Sequence, residues 1–346
     1  MPSSTLPPAP TVLVTGGAGY IGSVLVRQLL AGGYHVRVLD DLRFGGESLL
    51  GLLDQERFEF VKADVRDAAA VRDALRGCFA VVHLAAIVGD PACAREPELA
   101  RAVNEEASKA LYQAAEAAGV ERFVFASTCS NYGRMRDPDA FVDESSELRP
   151  VSLYAETKVA VERYLLAQPR TNQCAPTSLR FSTVYGASPR MRFDLTVNEF
   201  TRELVLGREL VVFGEQFWRP YCHVRDLARS VVAVLQAPLE AVAFDVFNVG
   251  DDAENYRKGT LVELILAQVP DGRVRYVEKQ EDPRDYRVTF EKIAQRLGFR
   301  ISRTVPEGIA EIKRLLEAGF LYDPHDERFA NVPARVEAAP PVSAGG

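Results

Sequence analysis

Tyr154 and Lys158, in the run Tyr154-Ala155-Glu156-Thr157-Lys158, are four residues apart, so on a helix they share one face. A free tyrosine titrates near 10 and is a poor base at neutral pH. A neighbouring ammonium favours the phenolate and lowers that value. The pair is therefore a candidate general base and acid for a hydroxyl group, although the same spacing also arises by chance on solvated helices. Thr128, in Ser127-Thr128-Cys129-Ser130-Asn131-Tyr132-Gly133, offers a hydroxyl to hydrogen-bond and position a reacting oxygen. Taken alone, it reads first as a turn or helix cap, and it gains its chemical reading only beside Tyr154 and Lys158.

These residues need elements that bring them together. Residues 11–15 (TVLVT) form a β-branched apolar run that leads straight into Gly16-Gly17-Ala18-Gly19-Tyr20-Ile21-Gly22. A helical stretch follows over 21–30, then Gly32-Gly33, then a second apolar run over 36–39 that stops at Asp40-Asp41. This is a strand–helix–strand unit. The spacing Gly16, Gly19, Gly22 is GxxGxxG, one residue longer in its first interval than the usual dinucleotide fingerprint. The physical roles carry over: a tight turn, close approach of backbone to a pyrophosphate, and close packing of helix on strand. The helix N-terminus then presents unpaired N–H groups to the phosphates. Asp40 ends the second strand, where a carboxylate accepts hydrogen bonds from the adenosine ribose and repels the 2′-phosphate of NADP. NAD is the expected cofactor, with the nearby Arg43 as the feature that speaks for NADP. Asp64-Val65 is a candidate adenine contact; Asp64 reads almost equally as a cap for the helix at 68. Such a cofactor's positive ring would act with Lys158 to favour the Tyr154 phenolate.

The alternation continues, with strands expected at 58–62, 80–85, 122–127 and 177–181 and helices at 68–75, 98–118 and 152–167. Regular alternation argues for an α/β fold, a Rossmann-type doubly wound parallel sheet with helices on both faces. In such sheets ligands sit at the carboxyl ends of the strands, which is where Thr128 falls. After residue 182 the pattern loosens, apart from a helix at 226–235 and a strand at 244–249 able to return to the sheet. The expected division is a dinucleotide-binding domain of 11–181 plus 220–253 and a smaller mixed α/β substrate domain of 182–219 plus 254–330. Residues 1–10 and 331–346, rich in Pro, Ala, Ser and Gly, are expected to be flexible tails.

The 346 residues are 47% hydrophobic and 26% charged with a net charge of −7, which suits a globular protein and not a basic nucleic-acid footprint. No apolar run has a membrane helix's length, and the opening lacks a secretory layout. Cys78, Cys93, Cys129, Cys174 and Cys222 show no CxxC pair, so neither a metal site nor a disulfide framework is expected. Reduced thiols in a cytoplasm are the simplest reading.

With TGGAGYIG, HLAA at 83–86, STCSNYG and YAETK in this order, the chain resembles the extended short-chain dehydrogenase/reductase family, in its NAD-dependent epimerase/dehydratase group of nucleotide-sugar enzymes. The resemblance covers residues 11–325. It implies that Tyr154 is the catalytic base, that Lys158 binds the nicotinamide ribose and tunes Tyr154, and that Thr128 holds the sugar hydroxyl. Counting back four residues from Tyr132 favours Thr128 over Ser127. It places the dinucleotide against Gly16, Gly19, Tyr20, Ile21, Gly22, Asp40 and Asp41. On the cofactor's further side it implies Asp64, Val65, Ala85, Ala86, Asn104, Lys158 and Phe181.

LRFSTVYG at 179–186 resembles the family's LRxxNxYG segment, with Thr183 in place of the usual Asn. Asn198, Arg219 in RPYCHVRD, and Arg284 or Arg287 in DPRDYR sit where relatives bind the substrate diphosphate and nucleoside. Arginine forks suit phosphate oxygens.

The implied partner is a nucleotide-diphosphate sugar. The implied reaction is 4-epimerisation: Tyr154 takes the 4-hydroxyl proton, C4 gives hydride to NAD, and the hydride returns to the other face of a 4-keto sugar. A 4-ketosugar reductase needs only the same three residues and is the alternative. A 4,6-dehydratase ranks lower, because similar dehydratases carry Asp-Glu directly after the Thr and here Cys129-Ser130 follow. A catalytically silent nucleotide-binding scaffold is the non-enzyme alternative. Relatives pair the helices matching 98–118 and 152–167 into a dimer, so a homodimer is expected. The stripe Leu111, Ala114, Ala115, Ala118 that would serve it could equally face the protein's own core.

Overall fold

Strand β1 (Thr11–Thr15) is fully buried from Val12 onward, which is how a strand reads when both faces of its sheet are covered. Its residues alternate between two cores: Val12 and Val14 on one face, Leu13 on the other. The computed structural model describes residues 9–135, 137, 140–278 and 284–331. The expected tails therefore lie outside the described residues over 1–8 and 332–346.

β1 is followed by α1 (Gly22–Ala31), β2 (His35–Asp40), β3 (Phe58–Lys62), α2 (Ala68–Leu75) and β4 (Cys78–His83). Then come the short helices α3 (Asp90–Arg95) and α4 (Pro97–Arg101), α5 (Ala107–Ala117), β5 (Arg122–Thr128), α6 (Leu153–Leu166) and β6 (Ala175–Phe181). The remainder comprises β7 (Thr183–Tyr185), α7 (Thr196–Val205), β8 (Glu209–Phe213), β9 (Trp218–His223), α8 (Val224–Gln236), α9 (Leu239–Val242), β10 (Asp245–Val249), β11 (Asn255–Arg257), α10 (Lys258–Leu266), β12 (Arg273–Val277), α11 (Glu291–Leu297) and α12 (Val305–Glu317).

Seven strands form one parallel sheet in the order β10-β6-β5-β4-β1-β2-β3. β1 pairs with β2 on one side and β4 on the other, so the winding reverses there and opens a crevice at the carboxyl ends of β1 and β4. One face is covered by α1 and α8, the other by α2, α5 and α6. This is the expected Rossmann-type architecture, and β10 joins the sheet beside β6. Two small sheets, β11-β9-β7 and β12-β8, come from residues between 183 and 277 and share a separate core with α7, α10 and α12.

The helix expected over 98–118 is interrupted. One turn of π-helix, Ala102–Glu106, separates α4 from α5 and turns Val103 and Asn104 inward. Leu111 and Ala115 pack into the protein's own core, while Ala118 is exposed. All five cysteines are free and buried. Among the described residues, no helix is long and apolar enough to cross a membrane.

Candidate active site

The loop after β1 occupies the crevice. Gly16 has φ +74° and its N–H donates to the Leu39 carbonyl at 3.0 Å. A Cβ there would meet Ala85 N at 2.7 Å, so the turn both needs positive φ and leaves no room for a side chain. A Cβ on Gly22 would collide with the Gly16 carbonyl oxygen, which is how close α1 starts to the loop. α1 has no side-chain cap and no acidic residue in its first turn. The N–H groups of Ser23, Val24 and Leu25 bond to the Gly19 and Ile21 carbonyls, so it is the turn just before them, Tyr20 to Gly22, that faces an anion at the positive end of the helix. Asp40 accepts from Ala18 N and from Leu42 N, both at 2.9 Å, so its carboxylate is held at the edge of the loop. Burial raises its pKa.

A long cleft runs from this loop across the sheet. It is lined by Gly16, Gly19, Tyr20, Ile21, Gly22, Asp40, Asp41, Asp64, Val65, Ala85, Ala86, Thr128, Tyr154, Lys158 and Phe181. Arg43 also lines it, but its guanidinium pairs with Glu96 at 2.6 Å. Asp64 pairs with Arg66 at 2.7 Å and does not cap α2. The cap is Asp67, whose side chain accepts from the N–H groups of Ala69 and Ala70.

At the other end of the cleft, Ser152 caps α6 by accepting from Ala155 N at 3.3 Å, which sets the helix start. Tyr154 and Lys158 then follow on one face, as their spacing predicts. Lys158 is 3% exposed, donates to the Ala126 carbonyl at 2.8 Å, and lies 6.0 Å from the centre of the Tyr154 ring. Burial lowers its pKa to about 8. Burial also pushes the Tyr154 phenol up, with Cys93 and Asp90 adding to the effect. In the chain by itself, burial outweighs the ammonium at this distance, so the expected phenolate depends on the cofactor's positive ring as well as on Lys158.

Ser127 and Thr128 both line the cleft but differ in what they hold. The Ser127 hydroxyl donates to Glu162 at 2.7 Å and accepts from Asn131 at 3.0 Å. Glu162 in turn pairs with Arg180 at 2.5 Å, both side chains being buried. Thr128 Oγ1 accepts only a backbone bond from Ser130 N at 3.1 Å among the described contacts, so its own proton is left to donate. Of the two, only Thr128 keeps a hydroxyl proton not engaged in this network.

Several residues expected at the ligand sit elsewhere. Asn104 does not line the cleft: it is fully buried, accepts from Ile87 N at 2.7 Å and donates to Ile87 O at 2.9 Å. It shapes the loop that does line it. Asn198 is likewise buried, accepting from Gly186 N at 2.9 Å and donating to Tyr20 Oη at 3.1 Å and Arg192 O at 2.8 Å. Thr183 opens β7 and does not line the cleft.

Arg219, Arg284 and Arg287 do not line this cleft, but Asp90 and Tyr286 beside them act on Tyr154, which does. Arg219 lies over the Tyr286 ring at 5.4 Å, and Arg287 sits near Phe141 and Trp218 at 4.7 and 5.1 Å. Arg284 pairs with Asp90 at 3.1 Å. Of DPRDYR, Asp282 and Pro283 lie outside the described residues.

The sequence reading missed Arg190 and Arg192, which reach the cleft from the loop between β7 and α7. Their i, i+2 spacing after Gly186 was the available signal. Nothing local said that the loop folds back over the glycines.

A parallel sheet with a glycine turn at its switch point, a carboxylate ending the next strand, and Tyr/Lys/Thr at the far end of one cleft defines a dinucleotide-binding enzyme of Rossmann type. The chain belongs to the NAD dependent epimerase/dehydratase family, whose model matches residues 12–250. The family's cofactor is NAD, and the cleft's glycine turn, uncapped helix end and Asp40 fit it. A dTDP-glucose 4,6-dehydratase from Streptomyces niveus is 32% identical over 314 residues, 87% of this chain and 90% of the relative. A UDP-glucose 4-epimerase from Mycolicibacterium smegmatis is 32% identical over 311 residues, 86% of this chain and 96% of the relative. Among solved structures, a dTDP-glucose 4,6-dehydratase from Streptomyces venezuelae with NAD bound superposes with a TM-score of 0.80 at 29% identity, covering 90% of this chain and 98% of the other. A UDP-glucose 4-epimerase from Thermus thermophilus in complex with NAD gives 0.77 at 27% identity, covering 89% and 99%.

Proposed function

We propose that this protein is a nucleotide-sugar 4-epimerase that works through a transient 4-keto sugar. NAD, when bound, accepts a hydride from the sugar's C4 and returns it. Tyr154 takes the proton of the 4-hydroxyl and gives it back after the sugar has turned over. Lys158, held by the Ala126 carbonyl, keeps a positive charge beside the cofactor ribose and favours the phenolate. Thr128 donates to the sugar oxygen and orients it. Arg219, which lies over the Tyr286 ring, and Arg284 and Arg287, on either side of Tyr286 in sequence, are the proposed anchors for the nucleoside diphosphate. The parts of the chain at 182–219 and 254–330 would then form the substrate side.

The observation that carries epimerisation over dehydration is the pair after Thr128. Loss of water from C5 and C6 needs an added acid and base. Cys129 is buried, its thiol donating to the Arg180 carbonyl at 3.2 Å and its pKa driven up by burial. Ser130 offers only a hydroxyl, which accepts from Tyr286 Oη at 3.4 Å. Neither supplies a carboxylate. The free state of all five cysteines supports a reducing, cytoplasmic setting.

Incubating the purified protein with UDP-glucose and with UDP-galactose tests this. Interconversion without added cofactor supports it. No interconversion, together with NADH consumption on a 4-keto sugar, points to a reductase instead.

A further inference from the structure

Four arginines line the cleft: Arg43, Arg66, Arg190 and Arg192. Three are matched by carboxylates. Arg43 pairs with Glu96, Arg66 with Asp64, and Arg192 with Asp194 at 2.8 Å through two bonds. Arg190 has no such partner among the described residues. It is 7% exposed, and its Nε is buried with no hydrogen-bond acceptor. What it does have is the Phe44 ring, 4.4 Å from the guanidinium carbon, and one long bond of 3.4 Å to the Ala330 carbonyl. Burying a cation without a paired carboxylate is costly; burial, with Arg192 adding to it and Asp194 only partly opposing it, lowers the Arg190 pKa to about 10. A fold keeps such a group where a ligand brings the missing charge.

The position of Arg190 says which charge. Its loop is tied to the glycine turn: Tyr20 Oη donates to the Gly186 carbonyl, Ser188 Oγ donates to the Tyr20 carbonyl at 2.7 Å, and Ser188 meets Ser23 at 3.1 Å. On its other side Arg190 rests on Phe44, in the loop that follows Asp40-Asp41. It therefore lines the cleft together with the turn that starts α1 and the residues that end β2. We propose that Arg190 closes over the cofactor's pyrophosphate from the opposite lobe, its fork pairing with phosphate oxygens that the glycine turn and α1 hold from below. Phe44 orients the guanidinium plane, and Asp40 argues against a 2′-phosphate as the partner.

This inference rests on the cleft being the NAD site, and its test separates the two. NAD+, ADP, adenosine and NADP+ are titrated calorimetrically into the full chain freed of bound nucleotide, for wild type, Arg190→Gln and Arg190→Lys. In Arg190→Gln, affinity for NAD+ and ADP falls about 10-fold or more, the scale of a lost charge-assisted bond, while adenosine is unaffected. Arg190→Lys, which keeps the charge without the fork, falls between, and it carries the test alone if Gln at 190 does not fold. ADP also raises the melting temperature less in the variants than in wild type. Equal weakening of adenosine and ADP would reduce Arg190 to a wall of the adenosine pocket and overturn the proposal. Unchanged ADP binding, or a loss confined to NADP+, overturns it too. A wild-type chain that binds neither NAD+ nor ADP removes the cofactor reading itself, and the proposal with it.

Discussion

Lys158 donates to the Ala126 carbonyl at 2.8 Å while standing 6.0 Å from the centre of the Tyr154 ring. One ammonium thus fixes helix α6 to the end of β5 and supplies the charge beside the proposed base. Ala126 lies two residues before Thr128, so the same bond sets the distance between phenol and hydroxyl. Glu162, a further turn along α6, repeats the docking through Ser127.

Tyr154→Phe keeps the ring and removes the proton carrier. Turnover is expected to fall about 10²–10⁴-fold, the range for a lost general acid–base. NAD binding and melting temperature should stay near wild type, because among the described residues no hydrogen bond ties the Tyr154 hydroxyl to the fold, and Tyr154 lies in the cleft. Steady-state kinetics beside calorimetric NAD titration distinguishes these effects.

Lys158 titrates at about 8 in the folded chain against an ordinary 10.5. Between those values the unfolded chain binds more protons, so this group makes stability rise with pH there. Below about 8 the cost of burying the ammonium is fully present. Measured against Lys158→Met, wild type should gain up to about 3 kcal/mol from pH 8 to 10.5. Urea unfolding of both proteins across that range reads the difference directly. Turnover that depends on the ammonium should decline as pH passes about 8.

Glu162 and Arg180 have side chains 1% and 4% exposed. Removing one charge strands the other. Glu162→Gln is expected to cost about 3–5 kcal/mol, more than a surface pair would. Replacing both partners with apolar residues should recover much of that loss. Denaturant midpoints of the single and double variants report it.

Asp40→Asn removes the charge that opposes a 2′-phosphate while keeping an acceptor for Leu42 N. The preference for NAD+ over NADP+ should shrink by about 10-fold, on the scale of one charge-assisted contact. Competitive titration of the two cofactors measures it.

The parallel sheet and the near wall of the cleft were legible in sequence because their signals are local. The glycine turn, the strand ending at Asp40 and the Tyr154/Lys158 spacing each lie within one strand–helix unit. What stayed hidden depended on packing between distant segments. The π turn that faces Asn104 toward Ile87 cannot be read from an Ala-rich run. Asp64 and Asp67 were interchangeable as caps until Arg66 claimed the first. Asn198 has the right residue type for a phosphate contact, yet its amide is spent holding Gly186, Tyr20 and Arg192 together. Arg190 and Arg192 reach the cleft from a loop that those bonds, together with the Ser188 contacts, hold against the glycine turn.

The central claim is that Tyr154 and a recycled NAD invert C4 without disturbing C5 or C6. Proton NMR of UDP-galactose and dTDP-glucose incubated with the purified chain in D₂O tests it most directly. The account predicts conversion to the C4 epimer with the C4 and C5 protons retained, and none with Tyr154→Phe. A 4-keto-6-deoxy product carrying solvent deuterium, or epimerisation that persists in Tyr154→Phe, would contradict it.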